Sequence, residues 1–538
     1  MPLIGVGYRS EVGPFIRESM PPIEALEITV DHCIRSIPEH RRDFRQLPEL
    51  CPVFLHGVGL SLGTAQRPDS GYLSDVRQWA QWLGVPWYSE HLAFTKVPGL
   101  DHAQLLPLPR TEQTLRILCD NIDIVQDGVG LPVVLENISY YFDYHDSEVF
   151  EADFLAEVCN RTGAGILLDL ENLRINSSNH GYDAGAFLAA LPPRAVRAIH
   201  LAGGCESHDL AIDTHDRQVS PATFALLPEA LRRHQPDAII IERDQAFEGF
   251  MEVLVDVEQA RRIRDEAAAD LPRSAGTSEV PPPRPTVSAS ARRRTLFDRQ
   301  RSILEHLSNP AGYASAEPLR GAPGGVRGDH LDRLALVGSL VLAKRWEKIK
   351  SILPATCRCL DAHAAHLIRE FAAVEPPRSP GRRENARQLH DFIVASAGRV
   401  EPDYLVDLVR LEHMIASATF SSREREQRRY PFAPPAAGES FDLRSASDLK
   451  ILKTPFDLKR VLDGADSATL DRGPDQTVAV VPGADSARVF WLDPGVAALL
   501  LTLDDWTTIH AAQAEPIQEL VLSLAAGHLI EVRPCVSA

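Results

Sequence analysis

Short apolar runs recur through the first half of the chain, separated by stretches whose apolar residues fall three and four apart. The runs are GVGYR (5–9), ALEITV (25–30), PVFLHGVG (52–59), PWYSEHLAF (86–94), PVVLENI (132–138), GILLDLEN (165–172), VRAIHLAG (196–203) and AIIIERD (238–244). Between them YLSDVRQWAQWLG, RTEQTLRILCDNIDIVQD and AGAFLAAL have helical spacing. Alternating buried strands and helices predict a parallel sheet, and eight repeats of this length predict an α/β fold of the (β/α)8 TIM-barrel type. An open doubly wound sheet is the structural alternative, but no GxGxxG fingerprint follows the first run.

The pattern changes after Arg264. Residues 268–294 are rich in Pro, Ser and Ala without apolar periodicity, and read as a linker. The expected organisation is a barrel over 1–267, a linker over 268–295, a helical domain over 296–430 and a small α+β domain over 440–538. Helical spacing recurs in LFDRQRSILEHLSNP, HLDRLALVGSLVLAKRWEKIKSILPAT, AAHLIREFAAV and PDYLVDLVRLEHMIASATF. The tail VAVVPGADSARVFWLDPGVAALLLTL followed by IQELVLSLAAGHLIEV suggests strands, then a helical pair ending in a strand. Such a unit can pair an edge strand with a peptide, or simply pack.

Composition adds exclusions. The net charge of −18 argues against broad nucleic-acid binding, since phosphate contacts need clustered Lys and Arg. No apolar run approaches the roughly 20 residues that span a bilayer, and the N-terminus has no basic region followed by an apolar run. The eight cysteines are scattered and form no disulfide framework, which fits a reducing cytoplasm. Cys357 and Cys359 have no second pair to complete a metal site and read as ordinary thiols.

The chemistry lies where the apolar runs end. A barrel enzyme places its reacting groups at the carboxyl ends of its strands. The third run ends in His56, the fourth in Glu90-His91, the fifth in Glu136-Asn137, the sixth in Asp169 with Asn172 after it, the seventh in His200 and the eighth in Glu242 with Asp244. The loop after the seventh adds Asp213 and His215, while His208 and Asp209 are expected to face solvent. One histidine at a strand end is usually a hydrogen-bonded rim residue. Six consecutive strands ending in ionisable groups is different, because burying them together is prohibitive without a cation. Four His and four carboxylates exceed the needs of a single tetrahedral ion, and Glu136 or Glu242 could bridge two ions. Mixed imidazole and carboxylate ligation without thiolate suits iron, manganese or zinc.

In order, HGVGLSLG, SEHLAF, LENIS, LLDLENLRINSSNHG, IHLAGG and IDTH resemble the multinuclear non-haem iron-dependent oxidative enzymes, the family that includes the methanobactin biosynthesis enzyme. The resemblance covers about 1–265. It implies a barrel holding two or three irons of mixed Fe2+/Fe3+ valence, with dioxygen as co-substrate, that modifies cysteines of ribosomally made precursor peptides. It also implies that His56, His91, Glu136, Asp169, His200 and Glu242 hold two core irons and that Asn172, Asp213 and His215 form a third site, and it makes Asp244 a candidate base beside the substrate. Three positions depart from the family pattern: Gly204 stands where a second histidine is usual, Glu242-Arg243 replaces an acid–aromatic pair, and Asp31-His32 replaces Glu-Asn. Residues 296–425 resemble the helical partner protein of these enzymes, so the chain reads as an oxidase fused to the domain that presents its Cys-containing precursor peptide, in place of a separate partner. A divalent-metal isomerase or phosphodiesterase of the xylose-isomerase-like type is the alternative, and a DNA-contacting regulatory protein with a relic barrel is a third reading.

Overall fold

The computed structural model describes residues 1–19, 23–35, 38–147, 149–207, 209–270, 290–308, 325–363, 365–425, 440–464, 470–483, 486–510, 513 and 517–534. Eight strands close a barrel: β1 (Leu3–Tyr8), β2 (Ala25–Thr29), β3 (Val53–Gly57), β4 (Tyr88–His91), β5 (Val133–Glu136), β6 (Gly165–Asp169), β7 (Val196–Leu201) and β8 (Ala238–Ile241). Every neighbouring pair is parallel, and β8 returns to β1. The barrel expected from the eight apolar runs is therefore present, and the open-sheet alternative is not.

The pleat explains how this barrel holds polar chemistry above an apolar floor. Ala25, Phe54, Trp87, Val134, Leu167, Ala198, Ala238 and Ile240 form their own buried cluster, separate from the large core between strands and helices. Side chains two positions apart on a strand share a face. Two residues beyond the floor positions stand Glu27, His56, Ser89, Glu136, Asp169, His200 and Glu242. They make the next layer up, at the carboxyl ends of the strands. Side-chain caps start the helices that follow: Asp69 accepts from Tyr72 N at 2.7 Å, and Asp169 from Asn172 N at 2.6 Å. Two hairpins interrupt the alternation, Phe94–Val97 with Leu100–Leu106 after β4, and Gly204–Ser207 with Leu210–Asp213 after β7.

Packing divides the chain at Val341/Leu342, later than the change of composition after Arg264 suggests. The physical reason is the helix Ser290–Ser308: its Ile303, Leu304 and Leu307 join the barrel's core, as do Val326, Leu331, Leu334, Val337 and Val341. Most of the expected linker, 271–289, lies outside the described residues, as does His208. The second unit, from Leu342, contains helices Pro354–His363, Ala365–Val374, Arg382–Ala395 and Leu405–Arg425, then two antiparallel three-stranded sheets. One sheet orders Lys450–Thr454, Gln476–Pro482 and Ala487–Leu492, and shares a core with the helices. The other orders Thr507–Ile509, Phe441–Ser445 and Ile530–Pro534, under the helices Pro494–Thr502 and Gln518–Ala526. No helix among the described residues is long and apolar enough to cross a membrane.

Candidate metal centre

Glu136, at the end of β5, is the hub. Its Oε2 lies 3.3 Å from His56 Nε2 and 3.1 Å from His91 Nε2, and its Oε1 lies 3.2 Å from His200 Nδ1. Two ligand-type groups result, His56–His91–Glu136 and Glu136–Asp169–His200–Glu242, each with its atoms within 4.8 Å of one another. Glu136 belongs to both. All six residues are the ones expected from the strand ends, and all but His91 are buried.

Hydrogen bonding fixes which ring atoms are left for a ligand. The Ser89 hydroxyl donates to Leu55 O at 3.2 Å, so it accepts from His56 Nδ1 at 3.0 Å. His91 Nδ1 donates to Gly57 O at 3.1 Å. In both rings the remaining Nε2 carries a lone pair and faces Glu136 Oε2, which has no hydrogen-bond partner. Lone pairs pressed against a carboxylate oxygen in a buried site repel unless a proton or a cation stands between them.

The titration behaviour agrees. Burial alone would lower His91, but Glu136 and Glu90 outweigh it and lift the imidazole to about 9. Burial would raise Glu136, yet His91, His200 and His56 pull it down to about 2. His200 and His215 are pushed well above the ordinary histidine range by neighbouring carboxylates that overcome burial. Asp169 is driven well above its usual range by burial and by Glu136. A cation bound among these groups would compete with the protons they hold.

Of the residues assigned to an outer site, Asp213 and His215 lie side by side, and Asn172 is hydrogen-bonded to Asp169 and Asn137. Asn172 Oδ1, Asp213 Oδ1 and His215 Nε2 are buried atoms without a hydrogen-bond partner, as is Asp169 Oδ2. Asp213 Oδ1 lies 2.8 Å from His215 Nε2 outside hydrogen-bond geometry, and His215 Nδ1 is 3.3 Å from Glu242 Oε2. The donor set, oxygen and imidazole nitrogen with orphaned atoms turned inward, fits a multinuclear metal site. Asp244 is half-exposed, ion-paired with Arg9, and 3.6 Å from His215 Nδ1. The adjoining Arg9 guanidinium and His215 hold its carboxyl below the usual range.

One acid in this layer, Glu27, was not singled out from the sequence, while Glu90, named there with His91 at the end of its run, lies on the opposite face of β4 from Ser89. Glu27 is buried on β2, with Oε1 2.9 Å from His200 Nε2. Glu90 is buried beside His91, accepting from Tyr88 Oη at 2.7 Å and from His91 N at 3.0 Å. The signal for Glu27 was the period of two, since it stands two positions beyond Ala25 as His56 stands beyond Phe54. The departures from the family pattern also have places. Asp31 Oδ2 accepts from Val58 N at 2.9 Å and Gly59 N at 3.1 Å, tying β2 to the loop after His56. Arg243 is buried, donating to Asp216 O at 2.9 Å. At Gly204 a Cβ would stand 2.5 Å from Glu171 Oε1 and 2.6 Å from Ile212 O, leaving no room for the usual histidine.

Fold and site together define a (β/α)8 barrel with a cluster of His, Glu and Asp side chains that could hold a metal at the carboxyl ends of its strands. Residues 3–265 match the family described as RiPP precursor modification enzyme MbnB/TglH/ChrH, where RiPP denotes a ribosomally synthesised and post-translationally modified peptide. A UPF0276 protein of Rhizorhabdus wittichii is 38% identical over 275 residues, spanning 51% of this chain and 98% of that protein. A UPF0276 protein of Caulobacter vibrioides is 40% identical over 258 residues, 48% of this chain and 92% of that one. The chain belongs to the MbnB/TglH/ChrH family of RiPP precursor modification enzymes. Among solved structures, the xylose isomerase domain protein from Planctomyces limnophilus aligns at 16% identity and a TM-score of 0.36, covering 50% of this chain and 99% of that one, a similarity too low to bear on function.

Proposed function

We propose that this chain is an iron- and dioxygen-dependent oxidase that modifies cysteine residues of a ribosomally made precursor peptide. The observation that carries the reading is the shared carboxylate: Glu136 belongs to two groups of ligand-type side chains, within which Glu136 Oε2, Asp169 Oδ2 and His200 Nε2 are buried without a hydrogen-bond partner. His56, His91 and Glu136 would hold one iron, and Glu136, Asp169, His200 and Glu242 a second. Asn172, Asp213 and His215 would hold a third ion.

Iron bound there supplies one-electron redox chemistry and an electropositive position for a substrate thiolate, whose pKa it lowers. The protein's own residues prepare the site. Ser89 and Gly57 O set the tautomers of His56 and His91, so that both present Nε2. Arg9 keeps Asp244 ionised at the exposed rim, where it can orient His215 or a basic group of the peptide. The apolar floor beneath the ligands excludes water from below. In this reading the second unit, with its helices and two small sheets, presents the peptide in place of a separate partner protein, and the described cysteines, which form no disulfide with one another, fit the cytoplasm.

The test is metal analysis with Mössbauer spectroscopy on protein produced with iron-57 and kept anaerobic. Two or three coupled irons per chain support the oxidase. Zinc or manganese in the site, with iron absent even when supplied, sinks it and favours isomerase or hydrolytic chemistry.

A further inference from the structure

Residues 290–308 and 325–341 lie beyond the family match, which ends at 265, yet they pack within the barrel's unit. Their contacts are not spread evenly over the barrel. Most fall on the loops that leave three consecutive strands, β3, β4 and β5, which carry His56, His91 and Glu136; others reach the helices Glu112–Val129 and Leu170–His180, through Arg293 to Asp120 and Asn121, Arg333 to Asn179 O and the His330 ring to His180.

After β3, Gln300 is buried and reads the backbone of that loop twice: its Oε1 accepts from Ala65 N at 2.9 Å, and its Nε2 donates to Gly63 O at 2.8 Å. After β4, His102 on the hairpin places Nε2 2.9 Å from Leu304 O. After β5, Arg299 makes a forked pair with Asp146 at 3.2 and 2.8 Å, and the chain at 325–327 continues the grip. There His145 N donates to Gly325 O at 3.0 Å, and Arg327 N donates to Asp143 O at 2.9 Å. A buried amide that satisfies both a backbone donor and a backbone acceptor of one loop is costly to remove, because each partner is left unpaired.

We propose that residues 290–308 and 325–341 are a built-in clamp, a positioning element that holds in one arrangement the three loops flanking the His56–His91–Glu136 end of the site. It rests on the reading that this end of the barrel is the metal site, but its mechanical content does not depend on which metal binds. The barrel strands set the ligand atoms. The clamp sets the loops through which a peptide must approach them.

The experiment uses the full chain, wild type and the double variant Arg299→Ala/Gln300→Ala, both metal-free, with hydrogen–deuterium exchange read peptide by peptide. Exchange at 58–66 and 143–147 should rise about tenfold in the variant, while the strands β1 to β8 keep wild-type protection. Wild-type exchange in both loops would overturn the clamp. If the variant loses protection throughout, a second arm decides: a specific protease site placed within 271–289 is cut in the wild-type chain. Cut protein that stays one species on gel filtration, with both loops still protected, supports the clamp; fragments that separate with loop exchange unchanged overturn it. Neither arm reads metal or activity, so a failed metal reading would show in the Mössbauer experiment and leave these outcomes intact.

Discussion

Glu27 and His200 meet inside the barrel, Oε1 to Nε2 at 2.9 Å, one layer above the apolar floor formed by Ala25 and Ala198. The other ring nitrogen, Nδ1, faces Glu136 at 3.2 Å and Glu242 at 3.3 Å. His200 Nδ1 is hydrogen-bonded to Glu136 Oε1, while Nε2 lies against Glu27 without a hydrogen-bond partner, so Glu27 is placed either to orient the imidazole or to share a metal ion with it. Glu27→Gln keeps the shape and removes the charge. Metal affinity should fall about 10–100-fold with the fold intact, as read by competition with a chelating dye. Unchanged affinity would leave Glu27 a structural acid only.

Because Glu136 belongs to both ligand groups, its loss should differ in kind from the loss of a ligand that serves one. Glu136→Ala is expected to empty both positions, whereas His91→Ala empties only the group it shares with His56. Elemental analysis of the two variants beside the wild type decides this. Equal metal loss in both would mean that Glu136 does not bridge.

Most of the candidate site was legible because the barrel repeats one rule: an apolar floor residue, a skipped position, then a residue of ligand type. His56, Glu136, Asp169, His200 and Glu242 each close a recognisable apolar run. Glu27 obeys the same rule but sits inside its run, ALEITV, with apolar residues on both sides, so it reads as a strand-interior acid rather than a strand end. The packing of Ser290–Ser308 on the barrel was hidden for another reason. Its amphipathic pattern shows that one face is buried but not which partner buries it, and the Pro/Ser-rich stretch before it resembles a boundary.

Glu151 gives a pH dependence that does not involve the metal ligands. Burial pushes its carboxyl up to about 7, with Tyr182 Oη 3.4 Å away. The folded value is raised above the unfolded one, so the group favours folding below about pH 4.5, and that contribution is lost as pH rises towards 7. Over this window the shift corresponds to about 3 kcal/mol at most. Glu151→Gln, which stays neutral, should therefore gain in stability relative to wild type between pH 4.5 and 7, in urea titrations at several pH values. A difference that stays flat with pH would place the folded pKa near its ordinary value.

Gly204 is the sharpest departure from the family pattern, and the structure says why histidine is not interchangeable with it here. Glu171 fills the space beside Gly204 and cannot easily withdraw, since Arg174 holds it at 2.6 and 2.9 Å and Thr223 donates its hydroxyl to the same carboxylate. On the other side stands Ile212 O, part of the strand paired with Gly204 in the hairpin that delivers Asp213. Gly204→His should thus destabilise the protein by about 1–3 kcal/mol and displace the hairpin rather than add a ligand. Glu171→Asn in the same chain relieves the side-chain clash but not the one with Ile212 O, so the double variant should recover only part of the lost Tm. Full recovery, with extra metal bound, would show that the hairpin can shift to restore the usual site; no recovery would put the whole cost on the backbone contact.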